Sequence, residues 1–120
     1  MSQPTNLTDL TYLRNLTGNE TVKIAKYIRM FLTGAPISLS QMELYTLSKD
    51  WNGVKDTAHS LKPQLGYFGA KNSEQMLKEI EQIAGEQREL ETLSSRITAL
   101  RSQFDQISSE LEVALKELGV

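Results

Sequence analysis

From residue 90 onward the chain repeats a single spacing: Leu90, Leu93, Ile97, Leu100, Phe104, Ile107, Leu111, Ala114 and Leu118 follow one another at intervals of three and four. Such alternation averages one helical turn, so these side chains line one stripe of a helix, whereas a strand would require period two. A long apolar stripe must be covered, and the spacing fits shallow packing against other helices in a bundle. Read from about Arg88 to Leu118, the helix would reach roughly 45 Å at 1.5 Å per residue. That exceeds what one short helix covers. Its C-terminal end is therefore expected to pack on the N-terminal helices or on another subunit.

The remainder reads as helix too, with prolines only at positions 4, 36 and 63. A short first helix is predicted from about Leu7 to Leu16, ended by Gly18, and a second from about Glu20 to Leu32 with Ile24, Ile28, Phe31 and Leu32 inward. Gly34-Ala35-Pro36 should break it. Ser38 can cap a third helix to about Ser48, with Leu39, Met42 and Leu47 as candidates for burial. Asp50 can cap the next, on which Trp51, Val54, Ala58, Leu61, Leu65 and Phe68 form one apolar stripe. A further helix is expected after Asn72, with Gln75 three residues on as in a capping box and Gly85 placed to stop it. The economical fold is all-α, an antiparallel four-helix bundle with an additional short N-terminal helix or helices, forming one domain over residues 1–120.

Composition narrows the function. With 120 residues, 39% of them hydrophobic, the chain can bury an ordinary core, and with no cysteine it has no disulfide, thiolate zinc site or cysteine nucleophile. A lone histidine cannot approach the common transition-metal sets, and no nucleophile-elbow pattern is present. No apolar run approaches the roughly 18 residues of a membrane span, and Met-Ser-Gln-Pro-Thr-Asn lacks the features of a signal peptide. A cytoplasmic location without membrane association is the expectation. Residues 1–72 carry eight Lys/Arg against five Asp/Glu, or +3, and residues 73–120 carry five against ten, or −5. No basic stripe with interleaved aromatics occurs, so nucleic acid is not expected as a partner.

His59, the only histidine, points roughly 130° away from the Trp51 to Phe68 stripe on a helical wheel and should face solvent. Lys62, Lys55, Gly66, Asn52 and Pro63 occupy neighbouring directions. Such a patch favours an anionic group or an acidic partner cleft. Neutral imidazole with an exposed ring nitrogen is a nucleophile for phosphoryl groups. Lys62, one turn on, can offset phosphoryl charge. Gly66, two turns on, removes bulk from the path of an approaching partner, and Gly69 adds to the same low relief.

The segment Ala-His-Ser-Leu-Lys-Pro-Gln-Leu-Gly-Tyr-Phe-Gly-Ala at 58–70 resembles the signature of histidine phosphotransfer (HPt) domains. Members carry His-x-Leu-Lys, then small residues and a Gly-Ala ending, on one helix of a four-helix bundle; His59, Leu61, Lys62, Gly66, Gly69 and Ala70 stand in the matching places. The resemblance implies that His59 is the phosphoacceptor, Lys62 its charge-stabilising neighbour and Gly66 the relief for a docking receiver. It also implies a phosphocarrier without autonomous catalysis or an intrinsic cofactor. The partners would be receiver domains of response regulators and hybrid histidine kinases, with magnesium supplied by the receiver. In several members a polar residue a little over twenty positions after the histidine bonds its other ring nitrogen, and here that position is Glu81. One departure is Pro63, where the family most often has glycine. It removes the amide that would bond the His59 carbonyl and is expected to bend the helix.

Another class of function stays open: a helical adaptor or oligomerisation bundle with an incidental histidine. A histidine-kinase dimerisation domain fits less well, since its acceptor would be followed by an acidic residue where this chain has Ser60.

Overall fold

The computed structural model describes residues 6–120. All regular structure among them is helical: α1 (Thr11–Leu16), α2 (Thr21–Leu47), α3 (Trp51–Tyr67), α4 (Lys71–Glu86) and α5 (Leu93–Leu118), with a single 3-10 turn at Leu90–Thr92 before the last. Helices α2 to α5 follow one another through short turns, which makes successive helices antiparallel neighbours. Each packs on two others, α2 on α3 and α5, and α4 on α3 and α5. This is the expected bundle. Its core runs from Leu13 of α1 through Ile24, Phe31, Leu39, Leu61, Leu77 and Ile80 to Leu93, Leu100 and Leu111 of α5.

The principal departure is α2. Gly34-Ala35-Pro36 does not break it, and the two helices expected at 20–32 and 38–48 are one helix of 27 residues with Pro36 inside. A proline in a helix interior costs about 3 kcal/mol or more. Here Ile24, Ala25, Ile28, Phe31, Ala35, Leu39 and Met42 form one buried stripe that passes the proline without a change of face. Burial of a large apolar side chain contributes about 1.5–3 kcal/mol, so the residues beyond the proline outweigh its cost. Pro36 itself is exposed, so its ring displaces nothing from the core. Ser38 is therefore no cap. Leu47, expected inward, is 81% exposed because it ends α2 off that stripe.

Other boundaries also move. Helix α1 starts at Thr11 and not Leu7. Residues 7–9 form a strap instead: the Leu7 and Thr8 amides donate to the Glu110 carboxylate at 2.9 Å each, and the Asp9 amide donates to the Phe68 carbonyl at 2.8 Å. The C-terminal part of α5 thus packs on the N-terminal residues, one of the two options its length required. Helix α4 begins at Lys71 after Ala70, with no side-chain cap, and Gln75 bonds Glu79 one turn on, so no capping box forms. Gly85 lies inside α4, which stops two residues later at Gln87 in the left-handed region, φ 53°.

Candidate functional site

Asp50 starts α3 as anticipated, its carboxylate accepting the Gly53 amide at 3.0 Å. Val54, Ala58, Leu61 and Leu65 are fully buried and Phe68 nearly so, with Trp51 half-buried at the rim. That stripe fixes the rotation of α3 and turns His59 outward, its side chain 72% exposed. Pro63 leaves the His59 carbonyl without its amide partner one turn on. Even so, α3 continues from Trp51 to Tyr67, and the stripe crosses Pro63 in register.

Across the groove, α4 contributes Glu81. Its Oε2 lies 2.8 Å from His59 Nδ1 and its Oε1 lies 2.5 Å from Lys62 Nζ. Burial pushes the Glu81 carboxyl up, but hydrogen bonds from Lys62 and His59 outweigh it and hold the group below the usual carboxylate range. An ionised carboxylate only accepts. Nδ1 therefore carries the proton that it donates to Glu81, and the lone pair of neutral imidazole belongs to Nε2. Glu81 and Lys62 are largely shielded, 19% and 27% exposed, while the imidazole stands in water.

His59, Lys62 and Pro63 line one side of an open surface depression, and Lys71, Glu74, Gln75 and Lys78 of α4 line the other. Asn52, Lys55, Gly66 and Gly69 do not line it. The Lys55 stem instead lies across Gly85, where a Cβ would stand 3.4 Å from its Cδ. Gly66 faces α4, its absent Cβ 3.4 Å from Glu74 Oε2. Gly69 lies outside the helix, in the turn after α3, with φ +63°. A Cβ there would come within 2.5 Å of the Asp9 carbonyl, so this turn and the strap are sufficient reason for glycine. The α4 lysines were missed in the sequence, although Lys71, Gln75 and Lys78 are spaced by four and three. The signal was there, but nothing in it told which face of α4 meets His59.

Among the described residues no group of three or more His, Cys, Asp or Glu could hold a metal ion. No helix among them is long and apolar enough to cross a membrane. Residues 26–110 match the family model described as Hpt domain. No curated protein and no solved structure gives a significant match.

Proposed function

Because the chain belongs to the Hpt domain family, whose members are phosphocarriers of two-component phosphorelays, we propose that His59 accepts a phosphoryl group from a receiver-domain aspartate and relays it to another receiver. The observation that carries this reading is the pairing of His59 Nδ1 with an ionised Glu81, which leaves Nε2 as the free, outward nitrogen. The Nε2 lone pair attacks the phosphorus of the aspartyl phosphate. The bond from phosphorus to the acyl oxygen breaks, and its electron pair returns to the aspartate as carboxylate. The resulting imidazolium keeps its Nδ1 proton, and Glu81 stabilises the positive charge. Transfer onward reverses these steps on a second receiver, which brings its own magnesium.

Glu81 acts here as a positioning residue, fixing tautomer and ring orientation. Lys62 has two successive tasks: it holds Glu81 ionised before transfer and offsets phosphoryl charge after it. Soluble cytoplasmic signalling is the setting this proposal entails.

The test is direct. Incubation with phosphoramidate or with a phosphorylated receiver should give an acid-labile, alkali-stable adduct on the wild-type chain. His59→Gln should abolish it while changing stability by less than about 0.5 kcal/mol, as an exposed polar exchange does. An undiminished adduct on that variant would place the acceptor elsewhere.

A further inference from the structure

We propose that α4 completes the receiver-docking surface, with Lys71 and Lys78 contacting carboxylates that surround the phosphorylated aspartate of the receiver. This inference rests on the phosphocarrier reading.

The two lysines project into the same depression as His59. Both are exposed, and neither has a carboxylate within ion-pair distance among the described residues, although the charge of Lys71 acts on the more distant Asp9 carboxyl. The third lysine of the depression, Lys62, is committed to Glu81 at 2.5 Å. The acids of α4 other than Glu74 are already engaged: Glu79 pairs with Arg96 of α5 and accepts from Gln75, Glu81 is held by Lys62 and His59, and Glu86 accepts from Gln82. Only Glu74 remains among the cations, set against Gly66. The charge balance of the depression is therefore positive before a partner arrives.

Helix stability does not explain the arrangement. Lys71 is the first residue of α4, at the positive end of the helix dipole, where a cation is disfavoured. An aspartyl phosphate carries about two negative charges and the carboxylates that hold magnesium beside it add more, of which the bound magnesium offsets two, so the partner's contact face stays anionic. Complementarity of this kind accelerates encounter and fixes register while acting through exposed rim charges. The sequence-derived patch on α3 alone would leave one side of His59 without such contacts.

The experiment compares Lys71→Gln/Lys78→Gln with a control pair, Lys26→Gln/Lys116→Gln, which removes equal charge at exposed positions elsewhere. The protein donor is the receiver domain that phosphorylates the wild-type chain fastest in a panel charged with acetyl phosphate. The small donor is phosphoramidate. For the α4 pair we expect kcat/KM with the receiver to fall about tenfold at low ionic strength and to approach wild type at high salt, with phosphoramidate labelling within about twofold of wild type. The control pair should retain receiver transfer.

An equal loss in the control pair, or no loss in either, overturns the docking role. Equal loss with both donors also overturns it and reassigns the lysines to the chemistry at His59. A self-associating wild type that the α4 pair dissociates would assign the face to a second copy of the chain instead. Phosphoramidate labelling of His59 without transfer from any receiver overturns the docking proposal alone. Absence of labelling with either donor overturns the phosphocarrier reading and this inference with it.

Discussion

Glu81 and Glu110 are two half-buried carboxylates with the same electrostatic profile and different work. Burial pushes each carboxyl up, hydrogen bonds outweigh that, and each is held below the usual range. Glu110 accepts from the Leu7 and Thr8 amides, the Thr8 hydroxyl and Gln106. Its main donors are backbone amides of the strap, so it closes a fold. The donors to Glu81 are two side chains, one exposed and titratable and one that can turn to another anion. A depressed carboxyl therefore does not identify a functional site. What distinguishes the two is the chemistry of their donors.

The comparison breaks most visibly at the strap. Gly69→Ala sets a Cβ against the Asp9 carbonyl at a positive φ and should destabilise the domain by about 2–3 kcal/mol, measured by urea unfolding. Phosphoramidate labelling of the folded fraction should not change. Glu110→Ala leaves the strap amides without an acceptor and should cost about 2 kcal/mol, again with labelling intact. If either variant slowed labelling as much as it lowered stability, the two regions would be coupled and the distinction lost.

Glu81→Ala should do the opposite: labelling slows by about 10–100-fold, while stability moves by less than about 1 kcal/mol. Glu81→Gln should recover much of the rate, because an amide oxygen still accepts the Nδ1 proton. Nitrogen NMR of His59 reads the tautomer in each variant, and an unchanged tautomer in Glu81→Ala would remove the positioning role. The acid limb of stability sharpens the same contrast. Both carboxyls are depressed in the folded state, so their stabilisation is complete above the unfolded value of about 4.3 and is lost as pH falls through the lower folded values. Glu110→Gln should flatten that limb in a pH series of unfolding midpoints. The smallest effect is expected for Gly66→Ala, about 0.5–1 kcal/mol more stable, since its Cβ meets Glu74 at an ordinary contact distance.

The sequence disclosed what depends on local periodicity. The α3 stripe, the Asp50 cap and the outward His59 follow from spacing within one helix, as does the buried seam of α5 from Leu93 to Leu111. It misled where local propensity competes with distant packing. Pro36 reads as a terminator until the face shared by Phe31, Ala35 and Leu39 is seen against the core, and Leu7 reads as helical until Glu110, 103 residues away, takes its amide. The docking relief assigned to Gly69 had the same origin, because Asp9 approaches it only in the folded chain. Glu81 was reached only through a family resemblance, and Lys71 and Lys78 were not reached. Pairing of α3 with α4 is a tertiary fact, and helical spacing does not encode it.

The saturation of Glu81 bears on how long a phosphoryl group would survive on this protein. Hydrolysis of a phosphohistidine needs a water molecule and profits from a base that deprotonates it. Glu81, the carboxylate that reaches the ring, keeps one oxygen on the Nδ1 proton and has the other on the Lys62 ammonium group until that group turns to the phosphoryl oxygens, and a carboxylate facing an imidazolium is a weak base. Under the proposed reading, the Nδ1 bond that prepares the histidine for attack would also deny it a partner for self-discharge, and cargo lifetime would be governed by the arrival of the next receiver.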